Sequence, residues 1–260
     1  MFFLTKTPYL LKKFYPKQLI WNKSRAEKVI YLTFDDGPIP IVTPWVIKTL
    51  KNFNAKATFF CIGDNITKHP EIFEQLKADG HTIGNHTFNH LKGWKTDDET
   101  YLANFLKCQE LTQTNLFRPP YGRIKKSQIE KILNNGYQVA SIEYQDDLKG
   151  QESSIKYQDD LQIQESSIKY QDDLQSPYTL NPKPQTSIKP HISIIMWDVL
   201  SGDFDPSLKP EKCLRNVLNY TENGSVVVFH DSLKAWDRLE FVLPKVLEVW
   251  RDEGFEFGVL

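Results

Sequence analysis

Five short segments carry residues that could do chemistry together. The first is Thr33-Phe34-Asp35-Asp36-Gly37-Pro38, an apolar run that ends in two adjacent carboxylates and a Gly-Pro break. Neighbouring side chains at a strand end point in different directions, so one Asp could bind a metal while the other takes a proton. Asp-Gly is equally a common loop start, and this segment alone is an even choice between the two. The second segment is His86-Thr87-Phe88-Asn89-His90. Histidines at i and i+4 share one face of a helical turn, an established spacing for chelating zinc. Four of the six histidines (His69, His81, His86 and His90) fall between 69 and 90, a density that chance could supply in part. His81 is read as a packing residue or one that bonds to a ligand, and stays outside the ligand set. Asp36, His86 and His90 would give one carboxylate and two imidazoles. Three protein ligands leave a position open for water or substrate, the mark of a catalytic metal site.

The third segment is Arg118-Pro119-Pro120-Tyr121-Gly122. Two prolines fix its backbone and leave the Tyr121 N–H free to point at a ligand. Arg118 is a permanent cation that can hold a carboxylate through two parallel bonds. In isolation the segment would read as an ordinary Pro-rich turn. The fourth and fifth are Trp197-Asp198-Val199-Leu200-Ser201-Gly202-Asp203-Phe204 and Val228-Phe229-His230-Asp231-Ser232. A His at a strand end can act as a general acid if a carboxylate keeps it charged, and Asp203 is the natural partner for His230. Asp198 and Asp231 are read as structural or solvating.

The elements that must position these groups alternate in type. Candidate strands are Val29–Phe34, Ala57–Cys61, His81–Asn85, Asn115–Arg118, Tyr137–Ala140, Ile192–Trp197, Ser225–Phe229 and Phe255–Val259. Between them, Thr43-Pro44 reads as an N-cap with Pro at the first helical position, leading into Trp45–Asn52. Further helices are expected over Pro70–Ala78, Asp97–Thr114, Ser127–Asn134, Pro210–Tyr220 and Leu239–Glu253. This alternation predicts βαβ units and a mostly parallel sheet, closed or nearly closed as a distorted (β/α) barrel of about seven to eight strands. Chemistry in such a barrel sits at the C-terminal ends of the strands, where all five segments fall.

One stretch breaks the rhythm. YQDDLKGQESSIK at 144–156 is followed by YQDDLQIQESSIK at 157–169 and YQDDLQ at 170–175, a 13-residue period. The copies are too few and too thin in apolar residues to stack, so they read as a tandem duplication in a surface loop. Residues 141–191 are therefore expected to be a low-complexity insertion in a single catalytic domain over 1–260, its core about 28–258. A substrate-facing flap or partner-docking hairpin is the other reading of the repeat.

Composition narrows the classes. The 260 residues are 40% hydrophobic and 25% charged, ample for one core. The net charge of −1 lacks the basic excess of a nucleic-acid binder. The aromatic share of 13% suits sugar stacking, but a large core needs aromatics too, and the core reading comes first. Cys61, Cys108 and Cys213 are odd in number and far apart, so neither a disulfide framework nor a Cys-based zinc knuckle is expected. No stretch approaches the ~20 apolar residues that span a bilayer. The N-terminal MFFLTKTPYLLKKFYPK is broken by Lys and Pro and makes a poor secretory signal, which favours the cytoplasm and leaves cell-envelope association open.

TFDDGP, HTFNH and RPPYG, followed in order by the Asp203 and His230 segments, resemble the motifs of the NodB-homology polysaccharide deacetylases, the fourth family of carbohydrate esterases. The resemblance spans residues 33–232 and implies a metal-dependent hydrolase of linear amides in a distorted (β/α) barrel. It implies Asp35 as general base, Asp36, His86 and His90 as metal ligands, and Arg118 as the group that orients Asp35. It also implies the Tyr121 N–H in an oxyanion hole, and Asp203 tethering a His230 that protonates the departing amine. Pro120, Tyr121, Phe204 and Val228 would contact substrate, Val228 at the acetyl methyl group. The sequence departs from the family where many members have DxxDW: Leu200 replaces the first Asp and Phe204 the Trp, which removes an indole N–H from the groove. The expected cofactor is one divalent metal, zinc first and cobalt or nickel next. The expected partner is a glycan with N-acetylated amino sugars of peptidoglycan or chitin type. O-deacetylation of xylan, hydrolysis of a small or lipid-linked sugar amide, and a glycan-binding module without turnover are the alternatives.

Overall fold

In the computed structural model, residues 4–135 and 191–260 are described. Of these, residues 4–133 and 192–260 build one compact unit. The expected strand Tyr137–Ala140, the 13-residue repeats and all of the insertion 141–191 except His191 lie outside the described residues.

The strands are β1 (Leu19–Ile20), β2 (Val29–Asp35), β3 (Thr58–Cys61), β4 (Thr82–Asn85), β5 (Leu116–Phe117), β6 (Ser193–Ile195), β7 (Val199–Leu200), β8 (Val226–His230) and β9 (Glu256–Gly258). They form one sheet in the order β1-β6-β5-β4-β3-β2-β8-β7, every pairing parallel, with β9 added beside the first half of β2. The chain passes from β6 to β7 through only three residues, 196–198. Three residues reach no more than about 14 Å, so the two ends of the sheet must approach and the sheet curls into an open barrel. The expected barrel is present, and the gap between β1 and β7 is the distortion.

Parallel pairing requires crossovers, and the helices supply them. The described helices are α1 (Tyr9–Lys12), α2 (Val42–Asn52), α3 (Gly63–Lys68), α4 (Pro70–Ala78), α5 (Asp98–Thr112), α6 (Lys126–Asn135), α7 (Pro210–Tyr220) and α8 (Trp236–Asp252). Asp97 caps α5 by accepting the Thr100 N–H at 2.9 Å. Alternation along each strand splits the sheet's two faces. Ile30, Leu32 and Phe34 of β2 join Val227 and Phe229 of β8 in the core beneath α2 and α8. Phe34 stacks between Phe59 and Phe229 at 5.0 and 5.9 Å. The other face floors the barrel with Phe60, Leu116, Ile195 and Val226.

Four expectations are corrected. Thr43 is not the N-cap of α2: the helix begins at Val42, and the Thr43 hydroxyl accepts the Ile39 N–H and donates to Asp231 at 2.6 Å. The expected strand Ile192–Trp197 is shorter, because Met196–Asp198 turn away to start β7 across the barrel. The two-residue strands β1 and β7 have no period that pattern reading can detect. The helix α3 was also not foreseen; its six residues are too short to show a 3.6-residue repeat.

The N-terminal arm is pinned to this barrel by one buried carboxylate. Asp198 accepts bonds from Lys12, Arg25 and Ser225, each at 2.8 Å. Asp198→Ala would leave those cations without their anion, a loss that typically costs about 3 kcal/mol or more for a buried pair. We expect faster amide exchange in residues 4–25 and a lower unfolding midpoint; exchange unchanged in that arm would show that Asp198 does not anchor it.

Candidate active site

The parallel register of β2 and β8 sets Asp35 directly beside His230. Adjacent strands lie ~4.8 Å apart, so a carboxylate and an imidazole face each other at the C-terminal rim. Below them Arg118 is fully buried, and every arm of its guanidinium is used. Nη1 donates to Asp35 Oδ1 and Thr33 Oγ1, both at 2.7 Å; Nη2 donates to the Met196 carbonyl at 2.9 Å and Nε to that of Ile195 at 3.3 Å. Its plane lies 4.1 Å over the Phe60 ring. A planar, pre-organised fork is what such a site needs, and lysine could not satisfy it. The result is one fixed position for the Asp35 carboxylate.

Asp36, His86 and His90 come together on the other side of Asp35. One potential ligand atom from each lies within 4.8 Å of the others. His86 Nε2 and His90 Nε2 stand 3.8 and 3.3 Å from Asp36 Oδ1. His86 Nδ1 is 2.7 Å from the Arg118 carbonyl, which can only accept, so Nδ1 carries the proton and the Nε2 lone pair faces the cluster. Burial pushes His86 down to about 3 and His90 down to about 4, so both rings are neutral at pH 7. Asp36 Oδ1 is buried and has no hydrogen-bond partner among the described residues. A buried carboxylate oxygen without a donor is costly unless a cation meets it. Two neutral imidazoles and that oxygen fit a divalent metal. His81, by contrast, packs edge-on against Phe59 and accepts the Ala57 N–H at 3.3 Å, away from the cluster.

On β8, His230 Nδ1 lies 2.7 Å from Asp203 Oδ1, and the other oxygen of Asp203 accepts the His230 backbone N–H at 2.8 Å. Asp203 is fully buried, whereas the His230 side chain keeps 15% of its surface exposed. Burial would lower the imidazole, but the Asp203 carboxylate outweighs it and His230 rises to about 9. It is therefore an imidazolium at neutral pH.

Residues 22–140 match the polysaccharide deacetylase family. Within that reach the chain is 36% identical over 132 residues to a peptidoglycan-N-acetylglucosamine deacetylase of Bacillus cereus, covering 49% of this chain and 62% of that protein. It is 42% identical over 118 residues to a chitooligosaccharide deacetylase of Azorhizobium caulinodans, covering 43% and 56%. The chain thus spans less than two thirds of these curated relatives. The fold is shared with a solved peptidoglycan N-acetylglucosamine deacetylase, at 23% identity and a TM-score of 0.66 over 98% of this chain and 95% of that one. The family match ends before Asp203 and His230; the fold, not the match, carries those two residues into the site.

Backbone strain marks the same loops. Among the described residues seven non-glycines have positive φ, and four of them are Asp36, Thr87, His90 and Tyr121. Such conformations cost ~1–3 kcal/mol each and persist only where the surroundings impose them. They also correct the expected helical turn: His86–His90 is an irregular loop, with φ of 63° at Thr87 and 56° at His90. Residues that sequence reasoning did not single out hold it. Thr87 N–H donates to Asn85 Oδ1, Phe88 N–H to the Asn104 carbonyl, and the first N–H groups of α3, from Gly63 and Asp64, bind the carbonyls of Thr87 and Phe88. Asn65 Nδ2 likewise holds the Asp36 carbonyl at 2.7 Å. An Asn at a strand end, as at 85, was the one available signal.

The remaining expected residues are found as follows. Pro120 is buried and Tyr121 is exposed, with φ 60°. The turn's backbone bonds run from Gly122 and Arg123 to the carbonyls of Pro119 and Pro120, and the Tyr121 N–H takes part in neither. A side chain at Gly122, φ 63°, would strike Trp197 at 2.4 Å. Phe204 stands edge-on to His230 at 5.3 Å. Val228 is fully buried beside Thr33, one pleat below His230. Asp231 accepts the Gly37 N–H and the Thr43 hydroxyl, clamping the loop after Asp36; burial pushes its carboxyl up to about 8.

Proposed function

We propose that the chain removes N-acetyl groups from a glycan containing N-acetylglucosamine, of peptidoglycan or chitin type, with one divalent metal, zinc first, held by Asp36, His86 and His90. The observation that carries this reading is the meeting of three parts on one rim: a buried carboxylate oxygen with no donor, a carboxylate locked by Arg118, and a charged His230. A pure binding module needs no such base and acid pair. The activities for which the two relatives are named point the same way.

When bound, the metal would polarise the acetyl carbonyl and lower the pKa of water at the site. Asp35, fixed by Arg118, takes the proton of the attacking water; its second oxygen is not engaged by Arg118. The Tyr121 N–H donates to the oxygen on which negative charge develops. Amines are poor leaving groups, so His230 delivers a proton to nitrogen as the carbon–nitrogen bond breaks. Asp203 keeps that ring charged and oriented. Acetate release from N-acetylated chitooligosaccharides, compared between chelated protein and protein re-supplied with zinc or cobalt, tests the reading. Metal-dependent acetate upholds it; no acetate with either metal rejects it.

The pH profile is a sharper test of His230. A proton donor whose value is raised to about 9 stays charged through neutrality, so kcat/KM should fall as pH rises through about 9. Asp203→Asn removes the main charge that raises it, and the alkaline limb should move toward the ordinary His value near 6.5. The same interaction stabilises the fold fully below pH ~6.5, and that contribution fades as pH rises through about 9. An alkaline limb unmoved in the variant would assign the acid elsewhere.

A further inference from the structure

The rim beside His90 carries two exposed aromatic rings, each touched by a cation. Tyr121 is 53% exposed; its ring centre lies 4.6 Å from that of His90 and 4.6 Å from Lys92 Nζ. Trp94 is 55% exposed and has the Arg123 guanidinium 5.0 Å from its ring. Among the described residues neither Lys92 nor Arg123 has a carboxylate partner. The acidic residues close by are already engaged. Asp97 caps α5, Asp98 lies 3.6 Å from Lys125, and Glu99 pairs with Lys131 at 2.5 Å.

This rim is built rather than loose. The buried Gln128 accepts the Lys125 N–H and donates to the carbonyls of Gly93 and Thr96, and the Trp94 indole N–H donates to the Ile124 carbonyl at 3.2 Å. The two loops touch so closely that a Cβ at Gly93 would lie 2.4 Å from the Arg123 carbonyl. Two loops locked together hold a pair of flat apolar faces and two cations without an anion at a fixed distance from the metal cradle. Flat rings accept the C–H faces of sugars, and guanidinium and ammonium groups accept carboxylates.

Resting on the deacetylase reading above, we propose that Trp94, Tyr121, Lys92 and Arg123 form a subsite for an acidic sugar, one that bears a carboxylate, next to the sugar that loses its acetyl group. The ring packs on the aromatic faces and the carboxylate meets the two cations. The domain is thereby selective for an anionic glycan over a neutral one.

The test uses the zinc-loaded full chain and two tetrasaccharides of N-acetylglucosamine, one neutral and one carrying a carboxylate ether on alternate sugars. A charged hydrogen bond is worth about tenfold or more in affinity. KM for the acidic tetrasaccharide should be about tenfold lower at low salt with kcat alike, the gap closing as salt screens the charges. K92Q/R123Q should raise the acidic KM to the neutral one and leave the neutral KM unchanged, while W94A should raise both. Equal KM values in the wild type, or an acidic preference that survives K92Q/R123Q, overturns the proposal. Should neither tetrasaccharide release acetate, the deacetylase reading fails and calorimetric binding of the same two sugars decides the subsite. Tighter binding of the acidic one, lost in K92Q/R123Q, upholds it; equal binding overturns it.

Discussion

Asp36→Gly is expected to abolish zinc binding and, with it, acetate release. Glycine is the informative replacement because Asp36 has a φ of 87°, which glycine adopts freely and alanine does not. Only the carboxylate is then lost, and the loop after β2 keeps its path through the Asn65 bond to the residue-36 carbonyl. What remains is two neutral imidazoles. Changing a group that merely supports a metal ligand costs ~10–100-fold in affinity, so removing a ligand outright should cost more than about a hundredfold. Stability should move the other way: burial raises the Asp36 carboxyl, meaning that in the absence of metal its charge opposes folding. Zinc titration against a competing chelator, with a thermal melt of the metal-free protein, reads both effects. A variant that binds zinc as the parent does would show that Asp36 is not a ligand.

The site was legible in the sequence to different depths. The carboxylate and imidazole types were visible in TFDDGP and HTFNH, and their clustering in space follows from strand ends sharing one rim. The geometry that unites the two histidines was not. An i, i+4 spacing suggests a helical turn, yet here a loop with two left-handed residues makes the same approach, because Asn85, Asn104 and the first N–H groups of α3 impose it. Local pattern cannot report such long-range partners. The pairing of Asp35 with His230 has the same limit, since it depends on the register between strands 195 residues apart in the chain. Two-residue strands such as β1 and β7 have no detectable period, and the split of Ile192–Trp197 becomes visible only when the sheet curls. Aromatic content hinted at sugar stacking, but Trp94 and Tyr121 became distinct from core aromatics only once their exposure was known.

Asp35→Asn is expected to keep zinc and lose turnover, which separates the two neighbouring carboxylates. Asp35 lies outside the metal cradle, and the near-isosteric amide preserves the shape of the site. Asparagine cannot take the proton of the attacking water, so kcat should fall ~10²–10⁴-fold with little change in KM. The variant also leaves Arg118 fully buried without its anion, though Thr33 and two backbone carbonyls still accept from it. Uncompensated buried charge commonly costs about 3–5 kcal/mol, so the melting temperature should drop. That drop could be mistaken for the cause of inactivity, and the double variant Asp35→Asn/Arg118→Met removes the ambiguity. Methionine fills part of the volume against Phe60 with no charge to bury, and should restore some of the stability while turnover stays absent. Coupling of this kind is expected of groups in direct contact. If the double variant regained activity along with stability, Asp35 would be only the counter-ion of Arg118 and the base would lie elsewhere. If the single variant lost zinc instead, the division of labour between Asp35 and Asp36 would be reversed.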